Sequence, residues 1–533
     1  MPGVVWVAAA GTALLAAVAP GYVAVRAVEG DPALWHRLWS GSAPALLANT
    51  LLLALVVALG TAALGTVLAW LVERTDLLGR ALWRELLALP LGMPPYVGAT
   101  CYITLLRPRG LLERWLAGLG LVEPGTLPLQ RIYGLGGAAL LLILYTYPYV
   151  YLLTAAALRQ GSHHFDELAR ISGIGPWARF RRVTLRFLRP SIGAGALLAI
   201  LYTLADLGVV ALLRYQTFSV AIYAQFTGQI DRASAAILSL PLIALTLLVL
   251  AGEARLAQRT SIVQVGRSWR PVRPTRLGRW RSAALALVAL VCGAALVLPL
   301  GLLGLWTVQA LLDQSHLARV WGSNRAAIWP AAWNSLWTAS VAASVATLLA
   351  LAPGLLLART RSWGGRALAL LCQTGYALPG VVVALSLVLL VNRALPWLTG
   401  TIAPLLAAYV LRFLPQALQA VHASALALAP GLEEAARTLG HRPLAVLWRV
   451  TLPLMAPGLT SAWALVFLTS MKELPATLLL RPAGFDTLPV RIWIPASQAV
   501  YTEAAPAALL LSLCALLPLA LLLARRTASI VPS

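Results

Sequence analysis

The sequence predicts an all-helical, polytopic membrane protein, and three observations carry that fold class. Sixty per cent of the 533 residues are apolar, only 11% are charged, and the apolar residues gather into about twelve runs of bilayer-crossing length. An ordinary soluble domain carries about a quarter of its residues as charges. A span needs roughly 20 apolar residues, so twelve spans and their loops use most of the chain and leave no room for a large soluble domain.

The runs fall at about 4–25, 44–72, 86–106, 134–158, 191–213 and 234–252, and again at about 282–308, 329–357, 367–391, 398–425, 457–480 and 504–524. Six plus six predicts a duplication, with a first half at 1–252, a basic linker at 253–281 and a second half at 282–533. The first run reads as a retained helix and not a signal peptide. It lacks a basic leading segment, and its one cleavage-like site, Ala17-Val18-Ala19, is followed by Pro20.

The formal charge of +23 does not indicate nucleic acid, because the arginines lie in short loops between apolar runs. Seven lie between Arg159 and Arg189 and eight between Arg255 and Arg281, and the Arg525-Arg526 pair follows the last run. The positive-inside rule then puts these segments and both termini in the cytoplasm. One loop dissents: 107–131, placed outside, contains Arg107, Arg109, Arg114 and Arg131. The linker, polar and broken by Pro271 and Pro274, reads as a tether. Cys101, Cys292, Cys372 and Cys514 sit far apart in apolar segments and read as small packing hydrophobes.

A shift of 267 residues superposes Glu433–Pro457 on Asp166–Pro190 with eleven of twenty-five positions identical, among them Glu434/Glu167, Ala436/Ala169, Arg437/Arg170, Gly440/Gly173 and Pro443/Pro176. Asn49-Thr50 matches Asn334-Ser335 at a shift of 285, which leaves the first half 18 residues longer, an excess assigned to the 107–131 loop. The halves therefore read as parallel repeats. Within the repeated segment Leu432, Ala435, Ala436 and Leu439 recur at helical spacing, and Glu433 and Glu434 suit a first helical turn. Gly440 suits a helix end and Pro443 a helix start. The residues alone fit equally a helix–turn–helix inserted into a groove on a cytoplasmic partner and an interfacial helix lying on the membrane.

The pattern Glu434-Ala435-Ala436, then Gly440, then Val450-Thr451-Leu452-Pro453 resembles the EAA loop of the membrane subunits of binding-protein-dependent ABC importers. The first copy departs from it, with Leu168 for the first Ala and Arg186 for the final Pro. The resemblance spans nearly the whole chain, and the stretch from Met471 to Pro482, followed by Gly484-Phe485-Asp486-Thr487-Leu488, is similar to the fused double-length ferric iron permeases. It implies ATPase docking through Glu167, Ala169, Gly173, Glu434, Ala435, Ala436 and Gly440. It also implies an ABC ATPase homodimer carrying ATP and Mg, a periplasmic solute-binding protein, and a multi-pass place in a bacterial inner membrane. Fused thiamine permeases share the length and both loops, and sulfate, polyamine and molybdate permeases are related.

The only lysine, Lys472, lies in no GxxxxGK[ST] motif, so this chain binds no nucleotide through a P-loop, and no nucleophile motif is present. No catalytic residue and no resident cofactor or metal site are expected. His163-His164 beside Asp166-Glu167 reads as docking-loop surface, since adjacent histidines on a helix chelate poorly.

Asp206, Arg412, Lys472 and Glu473 are ionisable residues inside spans, where charge is costly and points to function. The shift of 267 pairs Asp206 with Glu473. Two readings stand: the carboxylates line a translocation path and offer hard oxygens to a passing cation, or they pair internally with Arg412 or Lys472 and fix packing. An ion-coupled secondary transporter, using the same carboxylates as its coupling site, is the rival class. The matched outside loops 214–235 and 481–505 carry Tyr223, Phe485 and Trp493, residues suited to a surface for the solute-binding protein or to the lipid interface.

Overall fold

The computed structural model describes residues 3–28, 32–123, 132–160, 175, 178, 180–228, 232–261, 274–312, 322–360 and 362–528. The first half contributes α1 (Gly3–Val28), α2 (Ala43–Arg74), α3 (Pro95–Leu106), α4 (Leu111–Gly118) and α5 (Leu135–Gln160). It continues with α6 (Leu185–Ala205), α7 (Gly208–Leu212), α8 (Phe218–Thr227) and α9 (Arg232–Ser261). The second half opens with α10 (Arg281–Cys292), α11 (Leu298–Leu312), α12 (Gly322–Arg359), α13 (Trp363–Cys372), α14 (Gly380–Ala394) and α15 (Ala403–Ala427). It closes with α16 (Pro430–Thr438), α17 (Pro443–Val446), α18 (Leu452–Met471), α19 (Pro475–Leu480), α20 (Leu488–Ser497) and α21 (Tyr501–Ala528).

Among the described residues, eight helices are long and apolar enough to cross a membrane, or up to ten if each of two bent helix pairs is one span. The other two apolar runs are also helical, as α15 and α21. Arg412, Gln416, Gln419 and His422 dilute the hydropathy of α15. The bends, 93° between Arg80–Gly92 and Pro95–Gly118 and 98° between Trp363–Gly375 and Gly380–Ala394, occupy corresponding places in the two repeats. Pro94 and Pro379, 285 residues apart, cause them, since the residue before a proline is driven out of helical conformation. Met93 and Leu378 are both extended, with ψ of 131° and 114°.

The chain packs as two units, one of residues 1–44, 218–244 and 318–494, the other of 45–217, 245–317 and 495–533. The boundaries 1–252 and 282–533 describe the duplication, and the packing units cut across them. In the first unit α12, α15 and α18 of the second repeat pack on one another, and α1 of the first repeat lies against α12, α13 and α14. Small side chains allow this approach: Ala9, Ala13, Ala16 and Ala19 on α1 and Ala339, Ala342, Ala346 and Ala350 on α12 are all buried. Thr12 donates to the Leu349 carbonyl (3.3 Å) and Tyr22 to that of Leu389 (3.3 Å).

In the second unit α5 packs on α6, and α3 on α7, while α11 and α21 of the second repeat pack together and against α3. The described end of the linker is no loose tether here. Thr275 N donates to the Arg74 carbonyl (2.8 Å), Asp76 N to that of Thr275 (3.2 Å), and Leu277 N to Asp76 Oδ1 (2.8 Å), which clips the linker to the end of α2.

Equivalent positions meet in both repeats with different chemistry. Tyr149 and Tyr202 pack ring to ring with centroids 6.4 Å apart, whereas 267 residues on Thr469 donates to Gln416 (2.9 Å). One contact is instead kept in kind: Asn49 donates to the Gln216 carbonyl (3.1 Å) and its counterpart Asn334 to the Asp486 carbonyl (2.9 Å). Arg412 forms an ion pair with buried Glu473, while Tyr145 holds the position of Arg412 in the first repeat.

Arg412→Leu leaves the Glu473 carboxylate buried without its cation, a loss of about 3 kcal/mol. The thermal midpoint of the solubilised protein should fall in Arg412→Leu and largely recover in Arg412→Leu/Glu473→Gln, where no charge is left; equal midpoints for the two variants would show that the pair is not what holds these helices.

Candidate functional site

The second copy of the repeated segment has the helix–turn–helix form that its residues predict. Proline at the head of α16 starts the helix, which runs only to Thr438. Gly440 then adopts φ +85°, a left-handed conformation that a side chain penalises by about 1–2 kcal/mol. His441 N donates back to the Ala436 carbonyl (3.2 Å), closing the turn, and Pro443 begins α17 with Arg442 extended before it.

The two adjacent glutamates divide their work. Glu433 turns inward: its Oε1 accepts from Arg359 Nη2 (3.1 Å) and from Thr451 Oγ1 (3.2 Å), so one carboxylate joins the end of α12, the docking helix and the start of the next span. Arg359 also donates to the Leu428 carbonyl (3.3 Å), where the loop leaves α15. Glu434 and Ala435 are exposed while Ala436 is buried, so the loop is anchored on one side. The other side leaves apolar surface uncovered, with Leu439 80% exposed and Leu432 and Leu444 about half exposed.

Arg359 is the anchoring residue that motif reading passes over. A signal for it exists: the shift that matches Asn49 with Asn334 puts Arg359-Thr360 on Arg74-Thr75. Arg74 is buried and donates to the Leu158 carbonyl (3.2 Å) at the equivalent end of α5. The first docking loop, with Glu167, Ala169 and Gly173, and with His163, His164 and Asp166, lies outside the described residues.

The intramembrane carboxylates sit at helix breaks. The runs 191–213 and 457–480, read from sequence as single spans, stop at Ala205 and Met471 and restart at Gly208 and Pro475. Asp206 Oδ2 accepts from Val209 N (3.0 Å) and Val210 N (3.3 Å), and Glu473 Oε1 from Ala476 N (3.2 Å). Each carboxylate therefore satisfies the first amides of a short helix, and Glu473 also pairs with Arg412. Both side chains are buried. For Glu473 this geometry is that of internal pairing.

Above the second break, Asp486 ties the outer loop together. Its carboxylate pairs with Arg481 and with Arg491 (2.9 Å), its carbonyl accepts from Asn334, and Leu488 N donates to Ser335 Oγ (2.8 Å). Tyr223 and Phe485 are half-buried, but Trp493 is only 8% exposed and meets Tyr223 through a side-chain hydrogen bond. Burial raises the Tyr223 phenol above its ordinary value, and Trp493 and Arg481 offset part of that rise. Trp493 thus supports this surface from beneath and does not face outward.

Two stretches of the chain, 65–262 and 350–529, match the family described as the binding-protein-dependent transport system inner membrane component. Each contains one carboxylate-capped break and one docking-loop segment. The chain is 29% identical over 503 residues, 94% of each chain, to the Fe(3+)-transport system permease protein FbpB 2 of Haemophilus influenzae. It is 24% identical to the ferric transport system permease protein FbpB of Actinobacillus pleuropneumoniae, over 66% of this chain and 52% of that one. The sulfate transport system permease protein CysW of Escherichia coli strain K12 is 29% identical over 37% of this chain and 64% of its own. With both repeats matched, the chain belongs to the family of inner membrane components of binding-protein-dependent transport systems.

Proposed function

We propose that this chain is the translocation subunit of an ATP-driven importer that takes ferric iron from a periplasmic solute-binding protein into the cytoplasm. The observation that carries the cargo is the similarity over 94% of both chains to a ferric permease, whereas the sulfate permease matches less than one repeat. The nucleotide chemistry belongs to a separate ATPase homodimer, one copy at each docking loop, because the chain has no P-loop and two loops of one pattern. Closure of the ATPases on ATP would pull on both loops and rock the permease between outward and inward openings.

The anchoring of Glu433 supports this coupling. A docking helix clamped to α12 through Arg359 and to the following span through Thr451 transmits force to two membrane helices at once. Glu434, Ala435 and Gly440, with Glu167, Ala169 and Gly173 in the first loop, form the docking surfaces in this reading. On the outer side Tyr223 and Phe485, backed by Trp493, belong to the surface that receives the binding protein. The termini and the linker lie in the cytoplasm. Asp206 and Glu473 act chiefly as caps of the broken helices, and a path role for them is the alternative.

The test is uptake of radiolabelled ferric iron in cells carrying the permease with its ATPase and binding protein, with thiamine and sulfate measured in parallel. Iron uptake that disappears when the ATPase's catalytic glutamate is changed to Gln is the expected result, and uptake of another solute alone would overturn the cargo while leaving the permease reading intact.

Gly440→Val should reduce co-purification of the ATPase at least fivefold with the permease still inserted, because its left-handed turn costs a β-branched residue about 1–2 kcal/mol; unchanged ATPase recovery would remove the loop from docking. Asp206→Asn combined with Glu473→Gln should keep uptake within about threefold, since Asn and Gln also accept from backbone amides at helix starts. Loss of uptake from an assembled, stable complex of that double variant would instead place the carboxylates on the path.

A further inference from the structure

The arginine-rich outer loop that departs from the positive-inside rule has a structure of its own, and the reading above gives it no role. Helix α4 lies within it, directly after the outer end of α3 and inside the segment by which the first repeat exceeds the second. The helix buries its acid and leaves apolar surface open. Its one acid, Glu113, is 1% exposed, and its Oε2 accepts from Arg109 N (2.5 Å). Leu111, Leu112 and Leu116 are half-buried, while Trp115 on the helix is 71% exposed and Leu119 and Leu121, just past its end, are 72% and 67% exposed, with Arg109 and Arg114 exposed beside them. Gly120, at φ +70°, ends the helix, and Leu121 N returns to the Leu116 carbonyl (2.9 Å). In that kind of helix end the residue after the glycine ordinarily packs back on the helix. Leu121 is left in the open.

We propose that α4 is an interfacial helix that binds the outer leaflet, with Trp115, Leu119 and Leu121 in the acyl boundary and Arg109 and Arg114 on anionic phospholipid headgroups. Charge complementarity selects this occupant. With Glu113 withdrawn, the exposed face pairs cationic guanidinium groups with tryptophan and leucine, the composition of helices that lie in an anionic interface. An arginine at the headgroup level is also no violation of the positive-inside rule in energetic terms, because it meets lipid phosphate and not bulk periplasm. The proposal rests on the orientation given above only for its choice of leaflet.

The experiment uses the full permease with its ATPase in nanodiscs of phosphatidylcholine with or without phosphatidylglycerol. The variant Leu119→Cys carries a spin label; Cys101, Cys292 and Cys372 are buried and Cys514 is changed to Ala. The label should collide severalfold more often with oxygen than with a water-soluble nickel chelate, and the difference should grow with phosphatidylglycerol. Arg109→Gln/Arg114→Gln should abolish that growth. A label as open to nickel as to oxygen in both lipids sinks the proposal, as does a label that becomes protected only when the solute-binding protein is added, which would give the face to that partner. Lipid exposure with no dependence on phosphatidylglycerol would overturn the role of the arginines. A second label site, Glu123→Cys, reports the side of the membrane through an impermeant maleimide on spheroplasts. If it reacts only after permeabilisation, the orientation fails, and the depth measurement still decides the interfacial helix.

Discussion

A backbone amide left without a partner in hydrocarbon costs several kcal/mol, and the helix breaks at Asp206 and Glu473 are arranged around that constraint. Spans that simply crossed the membrane would need no polar side chains. Just after the repeated segment, each repeat breaks a span and supplies a carboxylate at the break to receive the freed amides, Asp206 for Val209 and Val210 and Glu473 for Ala476. The charge introduced must then be accommodated in its turn. In the second repeat Arg412 does this from the neighbouring helix, and Gly380 leaves the room for it, since a side chain at Gly380 would collide with both Arg412 and Glu473. The break, the acid, the arginine and the glycine form one dependent chain of necessities.

The same economy operates in the segment between α15 and α18. A helix that leaves its leucines exposed is not held by burying them, so α16 is anchored through polar contacts, from Arg359 and Thr451 to Glu433. Anchoring and recognition are thus separated onto adjacent residues of one short helix. This separation lets the segment be held firmly on one side and left open on the other.

Much of this was legible in the sequence. Apolar runs marked every span, because lipid enforces helix wherever hydropathy persists. Gly440 and Pro443 marked the turn, because their backbone preferences are intrinsic to the residue. Two kinds of feature were not legible. The breaks at Asp206 and Glu473 lie inside runs whose apolar residues continue on both sides, and periodicity read each run as a single helix with an ionisable residue inside it. The inward turn of Trp493 and the anchoring by Arg359 depend on tertiary neighbours more than a hundred and about seventy residues away, Asn334 and Ser335 around the Trp493 loop and Glu433 for Arg359, and no local pattern encodes them. The duplication offset partly compensates, since a residue kept at the same shift in both copies, such as Arg74 and Arg359, marks itself as structural.

The packing units also bear on why the two repeats share one chain. Each unit is completed by helices lent from the other repeat, α1 and α8 in one case and α10, α11 and α21 in the other. A single repeat made alone would present small-residue faces such as Ala9, Ala13 and Ala16 with nothing to cover them, and the nearest available cover would be a second copy of itself. Covalent joining raises the effective concentration of the correct lender above that of any identical copy. The fusion therefore works as a pairing rule: it favours assembly of the repeat with the ion-paired break with the one that carries tyrosine in the arginine's place.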